Sequence, residues 1–412
     1  MEYRFSMVAK HVNKVFAEDR IFAANRLAME AAAKVGKDKV VNATVGSILD
    51  DREELAVMSS VMDVFRSIPD DEVAAYAPIA GTGEFINASI EAAFGNRRPD
   101  AYIKGVATPG GSGAIRHAIW NYSEIGDTVL TADWYWGPYK TMATENMRKL
   151  ETFQLFDDNR GFNLTSFSRK VKELLDRQGR LVILMNSPAN NPTGFALSDD
   201  EWEQVLEVLK AEAKDTEKRI VLVADIAYID YAGDADGSRS FMKKFSGLPE
   251  NIFIVVAFSV SKSLTMYGLR TGAALGVSSS KEIAEEFSNV CQSSNRGTWS
   301  NGTRCGMKLL SVIMNDKAVL GRVSAERQQL KQLLEDRAAI FVREAAAAGL
   351  EIHPYKAGFF VTIPAEESEA ICKRLEQDNI FPVPISGGIR FAVCSVPAEK
   401  LKGVAVKIKN AI

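Results

Sequence analysis

The chain has little of what metal and redox chemistry requires. Among its 412 residues are three histidines (His11, His117, His353) and four cysteines (Cys291, Cys305, Cys372, Cys394), with no C-x-x-C pair. Zinc sites and disulfide frameworks draw their ligands from short fixed spacings, so neither class fits and no metal is expected. Scattered thiols suit the reduced state of a cytoplasmic protein. His117 lies in a helical pattern, IRHAIW, and reads as a packed or capping residue rather than a ligand or base. No G-x-S-x-G elbow occurs, which argues against a serine hydrolase of that kind. The longest apolar runs, such as IFIVVAF at 252–258, have about half the length a bilayer needs. The first residues, MEYRFSMVAKHVNKVF, mix charged and apolar side chains and lack the apolar core of a signal peptide. Basic residues are not in excess: the net charge is −3, so neither nucleic acid nor an anionic membrane is an expected partner.

What is present is an alternation. Short apolar runs read as buried strands: TVLTAD (128–133), RLVILMN (180–186), RIVLVAD (219–225), NIFIVVAF (251–258) and TGAALGV (271–277). Amphipathic helical stretches separate them, among them DDEWEQVLEVLKAEAK (199–214) and KEIAEEFSNVCQ (281–292). This order predicts an α/β fold, a mostly parallel sheet covered by helices on both faces. After about residue 316 the texture changes to one long charged helix and then shorter units, FFVTIP, EESEAICKRLEQ and IRFAVCSV. These predict a smaller α+β domain with an antiparallel sheet. The expected division is 53–302 for the large domain, with 1–52 and 303–412 forming a discontinuous small one. No internal repeat or low-complexity linker interrupts it.

Ligand sites of such sheets gather where the strands end, so the residues after each strand carry the chemistry. TPGGSGAIRHAIWNY (108–122) runs from a glycine-rich turn straight into a helix. Gly110, Gly111 and Ser112 are placed to cradle a phosphate with backbone N–H groups, although tight packing requires the same turn. NSPANNPTG (186–194) is a loop rich in Pro and Asn. Asp225 closes a buried strand, where a carboxylate is costly without a cationic partner. SVSKSLTMYGLR (259–270) sets Lys262 among serines at the end of another core strand, with Arg270 eight residues on. Alone this stretch reads as a solvated turn. Together, a strand-end lysine, a buried carboxylate, a phosphate cradle and an extra arginine are what pyridoxal 5'-phosphate requires.

In order and spacing, S-x-S-K-x(7)-R, N-P-T-G, D-x-A-Y and Y-x-P-x-x-G resemble the class I/II aminotransferases of the aspartate aminotransferase type, fold-type I pyridoxal-phosphate enzymes. The resemblance runs from NATVG at 42 to GGIRFAVCSV at 388–397. It implies that Lys262 carries the cofactor and later acts as general base, a role that needs a lowered pKa. Asp225 matches the partner of the pyridine nitrogen, and Tyr228 with Asn191 the pair on the phenolic oxygen. Gly111, Ser112, Ser259 and Arg270 match the phosphate site, beside Gly110, and Trp134 matches the aromatic that stacks on the ring and borders the substrate. Tyr76 matches a tyrosine that reaches the neighbouring subunit's phosphate, which makes the active unit a homodimer. Arg390 matches the arginine that grips the substrate α-carboxylate, and Gly46 lies in the loop that closes over it. Arg296, in the loop-like polar stretch SSNRGTWSNGTR, matches the arginine that takes a distal carboxylate from the other subunit.

Three positions depart from the pattern. Gly110 stands where a serine is usual, Trp136 replaces a smaller polar residue beside the stacking aromatic, and Trp299 replaces a tyrosine. The extra indoles weigh against strict aspartate specificity. The implied reaction is ping-pong transamination between an L-amino acid, aspartate or an aromatic one, and 2-oxoglutarate. A β-lyase or a decarboxylase on the same fold remains an alternative. A non-catalytic ligand-sensing module fits less well, because only about 40 residues precede NATVG and the lysine is intact.

Overall fold

A computed structural model of the chain describes residues 6–12 and 19–412. Residues 1–5 and 13–18, which belong to the N-terminal stretch assigned above to the small domain, lie outside the described residues.

Among the described residues, twelve strands form three sheets. The central one has seven: β2 (Tyr102–Thr108), β3 (Thr128–Ala132), β4 (Lys149–Phe153), β5 (Arg180–Asn186), β6 (Arg219–Asp225), β7 (Ile252–Ser259) and β8 (Gly272–Ser278). Their order is β2-β8-β7-β6-β5-β3-β4. All neighbours are parallel except β8, which runs antiparallel to both β2 and β7. The mostly parallel α/β fold is therefore present, with β8 as its one reversed strand.

Alternate residues of each strand feed opposite faces, as a two-residue pleat demands. Ile220, Leu222 and Ala224 of β6 pack into one apolar layer, and Val221 and Val223 into the other. The first layer is completed by helices Gly83–Phe94, Leu164–Gln178, Asp199–Glu212 and Arg304–Asn315; the second by helices Gly110–Tyr122 and Lys281–Thr298. Burial on both faces explains why these strands read as unbroken apolar runs rather than alternating ones.

A three-stranded antiparallel sheet lies apart, in the order β11 (Val383–Ile385), β12 (Gly388–Ala392), β9 (Phe360–Pro364). A two-residue parallel pair, β1 (Val41–Asn42) with β10 (Ile380–Phe381), ties the chain before the large sheet to the chain after it. The 31-residue helix Lys317–Ala347 spans both regions. Val319 and Val323 join the large core, while Ala338, Phe341 and Ala345 join the small one.

The polar stretch after residue 292 is not a loop. Helix Lys281–Thr298 continues through SSNRGT, because tertiary bonds hold its polar side chains. Asn295 is fully buried; its amide donates to the carbonyls of Ile79 (2.8 Å) and Ala107 (3.0 Å), and its Oδ1 lies 2.7 Å from the His117 ring. His117 is packed as expected, stacked on Trp299 at 4.6 Å, and burial pushes its imidazole down to about 4.

Candidate active site

Strand register sets the site. Asn186 of β5 pairs with Asp225 of β6, which pairs with Ala257 of β7, so the carboxyl ends of three strands finish level. Ser259 is in turn level with Gly272 of β8, and Gly272 with Thr108 of β2, just before helix Gly110–Tyr122. A cavity of about 490 Å³ opens over these ends.

Lys262 enters it from a single helical turn, Val260–Ser263, capped by the Ser259 hydroxyl accepting from the Ser261 N–H. Its Nζ donates to the Gly46 carbonyl at 3.2 Å and lies over the rings of Tyr267 (4.8 Å) and Tyr228 (5.6 Å). Burial lowers the ammonium to about 8, and the Arg270 and Arg390 charges act in the same direction. The lowered pKa that a lysine base needs is thus built in. Asp225 is 5% exposed. Its Oδ2 accepts from the Tyr139 hydroxyl at 2.5 Å and its Oδ1 from the Ala227 N–H at 3.1 Å. Burial raises its pKa, and these donors together with the Lys262 charge oppose the rise.

The Asn-rich loop earns its composition. The Asn186 side chain donates to the Asp225 carbonyl (3.0 Å) and accepts from the Asn191 N–H (2.7 Å). Asn190 Oδ1 accepts from the backbone and hydroxyl of Thr193. Asn191 is thereby held with its amide 3.3 Å from the Tyr228 hydroxyl, facing the cavity.

Two arginines give the cavity an anion-binding character at two places. Near the N-terminus of helix Gly110–Tyr122, Arg270 donates to the Ser261 hydroxyl (3.3 Å) and to the carbonyls of Tyr267 (2.9 Å) and Pro109 (3.3 Å). Gly110 has φ +69°, and a Cβ there would lie 2.6 Å from the Arg270 Nη2. The glycine standing in place of a serine therefore makes room for the guanidinium. At the other place, Arg390 projects from β12 and is 4% exposed. Its Nη2 donates to the Thr44 carbonyl at 2.6 Å, its guanidinium lies 4.4 Å over the Phe360 ring, and its Nε has no partner. Among the described residues no carboxylate forms an ion pair with either arginine. A buried, unpaired guanidinium is expensive unless an anion arrives to meet it.

Of the residues expected at the site, Gly46, Gly111, Ser112, Asn191, Asp225 and Tyr228 line this cavity, and so do Ser259, Lys262, Arg270 and Arg390. Trp134 does not, and that expectation is corrected. Its indole meets the His353 ring edge-on at 4.3 Å and fills the slot left by Gly387 and Gly388. The indole in the cavity is Trp136, and a turn bond from the Tyr139 N–H to the Trp136 carbonyl (2.9 Å) brings Tyr139 round to Asp225. Tyr76 is 86% exposed, and its carbonyl accepts from Arg304. Arg296 is exposed at the end of its helix and donates to the Ser300 hydroxyl (2.6 Å). Neither reaches this chain's own cavity. The motifs also omitted Ser261, although it is the second serine of S-x-S-K, and Tyr139, whose only signal was its place three residues after an indole.

Known proteins match this arrangement. The profile of the family "Aminotransferase class I and II" matches residues 38–408. An aminotransferase crystal structure from Anaerococcus prevotii is 40% identical, covers 98% of this chain and 99% of its own, and superposes with a TM-score of 0.97. Mitochondrial aspartate aminotransferase of Xenopus tropicalis is 24% identical over 76% of this chain and 75% of its own length. An aromatic-amino-acid aminotransferase from Burkholderia pseudomallei, solved covalently bound to pyridoxal phosphate, shares the fold with a TM-score of 0.78, at 20% identity over 99% of this chain and all of its own. The donor set here fits that cofactor: a half-buried lysine with a lowered pKa, a buried carboxylate, and a helix N-terminus with an arginine for the phosphate that has no ion pair among the described residues. The chain belongs to the class I and II aminotransferases, and its cofactor is pyridoxal 5'-phosphate.

Proposed function

We propose that this aminotransferase moves the amino group of an L-amino acid, aspartate or an aromatic one, to 2-oxoglutarate in two half-reactions of the ping-pong type. The observation that carries the reading is Arg390, a buried guanidinium with an unpartnered Nε and, among the described residues, no ion-paired carboxylate, in the same cavity as Lys262. A substrate α-carboxylate satisfies that charge with paired hydrogen bonds and fixes the substrate's Cα. The cavity wall made by Ile21, Phe22, Val45 and Leu55 supports an aromatic donor beside an acidic one.

Bound at the site, the cofactor supplies an electron sink for negative charge developing at the substrate Cα. Lys262 holds the cofactor and then moves the Cα proton on its Nζ, for which a pKa of about 8 leaves the free amine accessible near neutrality. Asp225 would face the ring nitrogen and favour its protonated form; Tyr228 and Asn191 would donate to the phenolic oxygen. Gly110, Gly111 and Ser112, with Ser259, Ser261 and Arg270, would hold the phosphate. Trp136 would cover the ring, and Gly46 would close over the substrate carboxylate.

Tyr76 and Arg296 serve the partner's site in a homodimer, one at the phosphate and the other at a distal carboxylate. Their exposure, outside their own cavity, supports this role. The domains divide as 53–302 against 1–52 with 303–412, with helix Arg304–Asn315 adding its apolar side to the larger core. The four cysteines are free, as suits a cytoplasmic enzyme.

The test is a half-reaction screen. Amino acids are added singly to the loaded protein, and the cofactor's conversion to its amino form is followed by absorbance. Conversion by aspartate or aromatic donors, reversed by 2-oxoglutarate, is the expected result. No conversion by any amino acid contradicts the reading, and release of pyruvate and ammonia without a 2-oxo acid marks a lyase instead.

A further inference from the structure

Tyr139 is wholly buried and belongs to none of the motifs, yet its hydroxyl makes the shortest side-chain contact to Asp225. At 2.5 Å the separation falls in the range of a hydrogen bond from a hydroxyl to an ionised carboxylate. The titratable groups facing Asp225 are Tyr139 from helix Pro138–Glu145, Lys262 from the turn after β7, and Tyr228 from its own loop. Burial and the Asp225 charge raise the Tyr139 phenol well above its ordinary value, so it keeps its proton and acts only as a neutral donor. Burial of the same pocket favours the neutral acid form of Asp225, and the Tyr139 bond is the largest influence opposing that rise.

We propose that Tyr139 is a positioning residue that acts through Asp225: its hydroxyl holds the carboxylate ionised and oriented toward the cofactor's ring nitrogen. This rests on the reading above that Asp225 faces that nitrogen. Tyr139 also follows Trp136 in the same turn, so one short segment delivers both the ring cover and the carboxylate's donor. The proton stays on the phenol throughout. No bond to substrate is made, and the effect is electrostatic.

The test uses the loaded enzyme and four forms: wild type, Tyr139→Phe, Asp225→Asn and the double variant. The readouts are the cofactor dissociation constant and the pH midpoint of the bound cofactor's absorbance. Tyr139→Phe keeps the ring and removes only the hydroxyl, and a matching far-ultraviolet dichroism spectrum checks the fold. Losing one charge-assisted hydrogen bond is expected to weaken cofactor binding roughly tenfold and to move the midpoint by about one unit. In the Asp225→Asn background the same substitution is expected to change neither. A Tyr139→Phe protein with wild-type affinity and midpoint, beside an altered Asp225→Asn protein, overturns the proposal. So does an equal effect in both backgrounds, which would mark a packing role. If Asp225→Asn itself leaves both readouts unchanged, the placement of Asp225 at the ring nitrogen fails and the proposal falls with it.

Discussion

Replacing Arg390 by Met tests how the site recognises a substrate. Arg390 is 4% exposed, and among the described residues its guanidinium makes one polar bond, to the Thr44 carbonyl, beside its contact with the Phe360 ring. Truncating one partner of a buried, hydrogen-bonded charge pair costs about 2–5 kcal/mol. At about 1.4 kcal/mol per decade, kcat/KM for an amino acid should fall roughly thirty- to several-thousand-fold. Stability should move the other way or stay level. Met removes the cost of burying an unpaired cation, several kcal/mol, at the loss of one hydrogen bond worth about 1–3 kcal/mol. The assay compares single-turnover rates for an amino acid and for the matching amine that lacks the carboxylate, with Tm measured on the same samples. The loss should appear with the acid and be absent with the amine, at an unchanged or higher Tm. Equal losses with both substrates, or none with either, would refute the reasoning.

Two further outcomes follow from the same geometry. Lys262 has its pKa lowered from 10.5 to about 8, so in the cofactor-free protein it is a penalty on folding below pH 8. Between pH 8 and 10.5 the unfolded chain binds the extra proton, so that penalty is relieved as pH rises, by up to about 3 kcal/mol. Lys262→Met should therefore be the more stable protein at pH 7 in denaturant unfolding, with the gap closing by pH 10.5; a pH-independent gap would contradict it. Trp136→Leu should weaken cofactor binding roughly tenfold, as loss of an aromatic contact implies, whereas Trp134→Leu should lower Tm with little change in affinity. The reverse pattern would restore Trp134 to the ring.

Much of this was readable from residues in order. Strand ends mark ligand sites in a parallel sheet, so Asp225, Asn191 and Lys262 stood out once β5, β6 and β7 were recognised as apolar runs. The misreadings share a cause: a linear motif fixes which residues are near, and packing fixes which way they face. Trp134 and Trp136 are two residues apart in one irregular segment, and only the slot at Gly387 and Gly388 decides which indole leaves the cavity. Helix Lys281–Thr298 outran its amphipathic pattern because Asn295 finds partners on Ile79 and Ala107, far away in sequence. The reversed direction of β8 was equally hidden, since a strand buried on both faces has the same composition in either direction.

The central claim is that Lys262 carries the cofactor. Borohydride reduction of the loaded protein fixes the cofactor to whichever residue holds it, and peptide mass spectrometry then locates the added mass. The account predicts the label on Lys262 and none in a Lys262→Ala protein. A label on another lysine, with turnover surviving in Lys262→Ala, would contradict it.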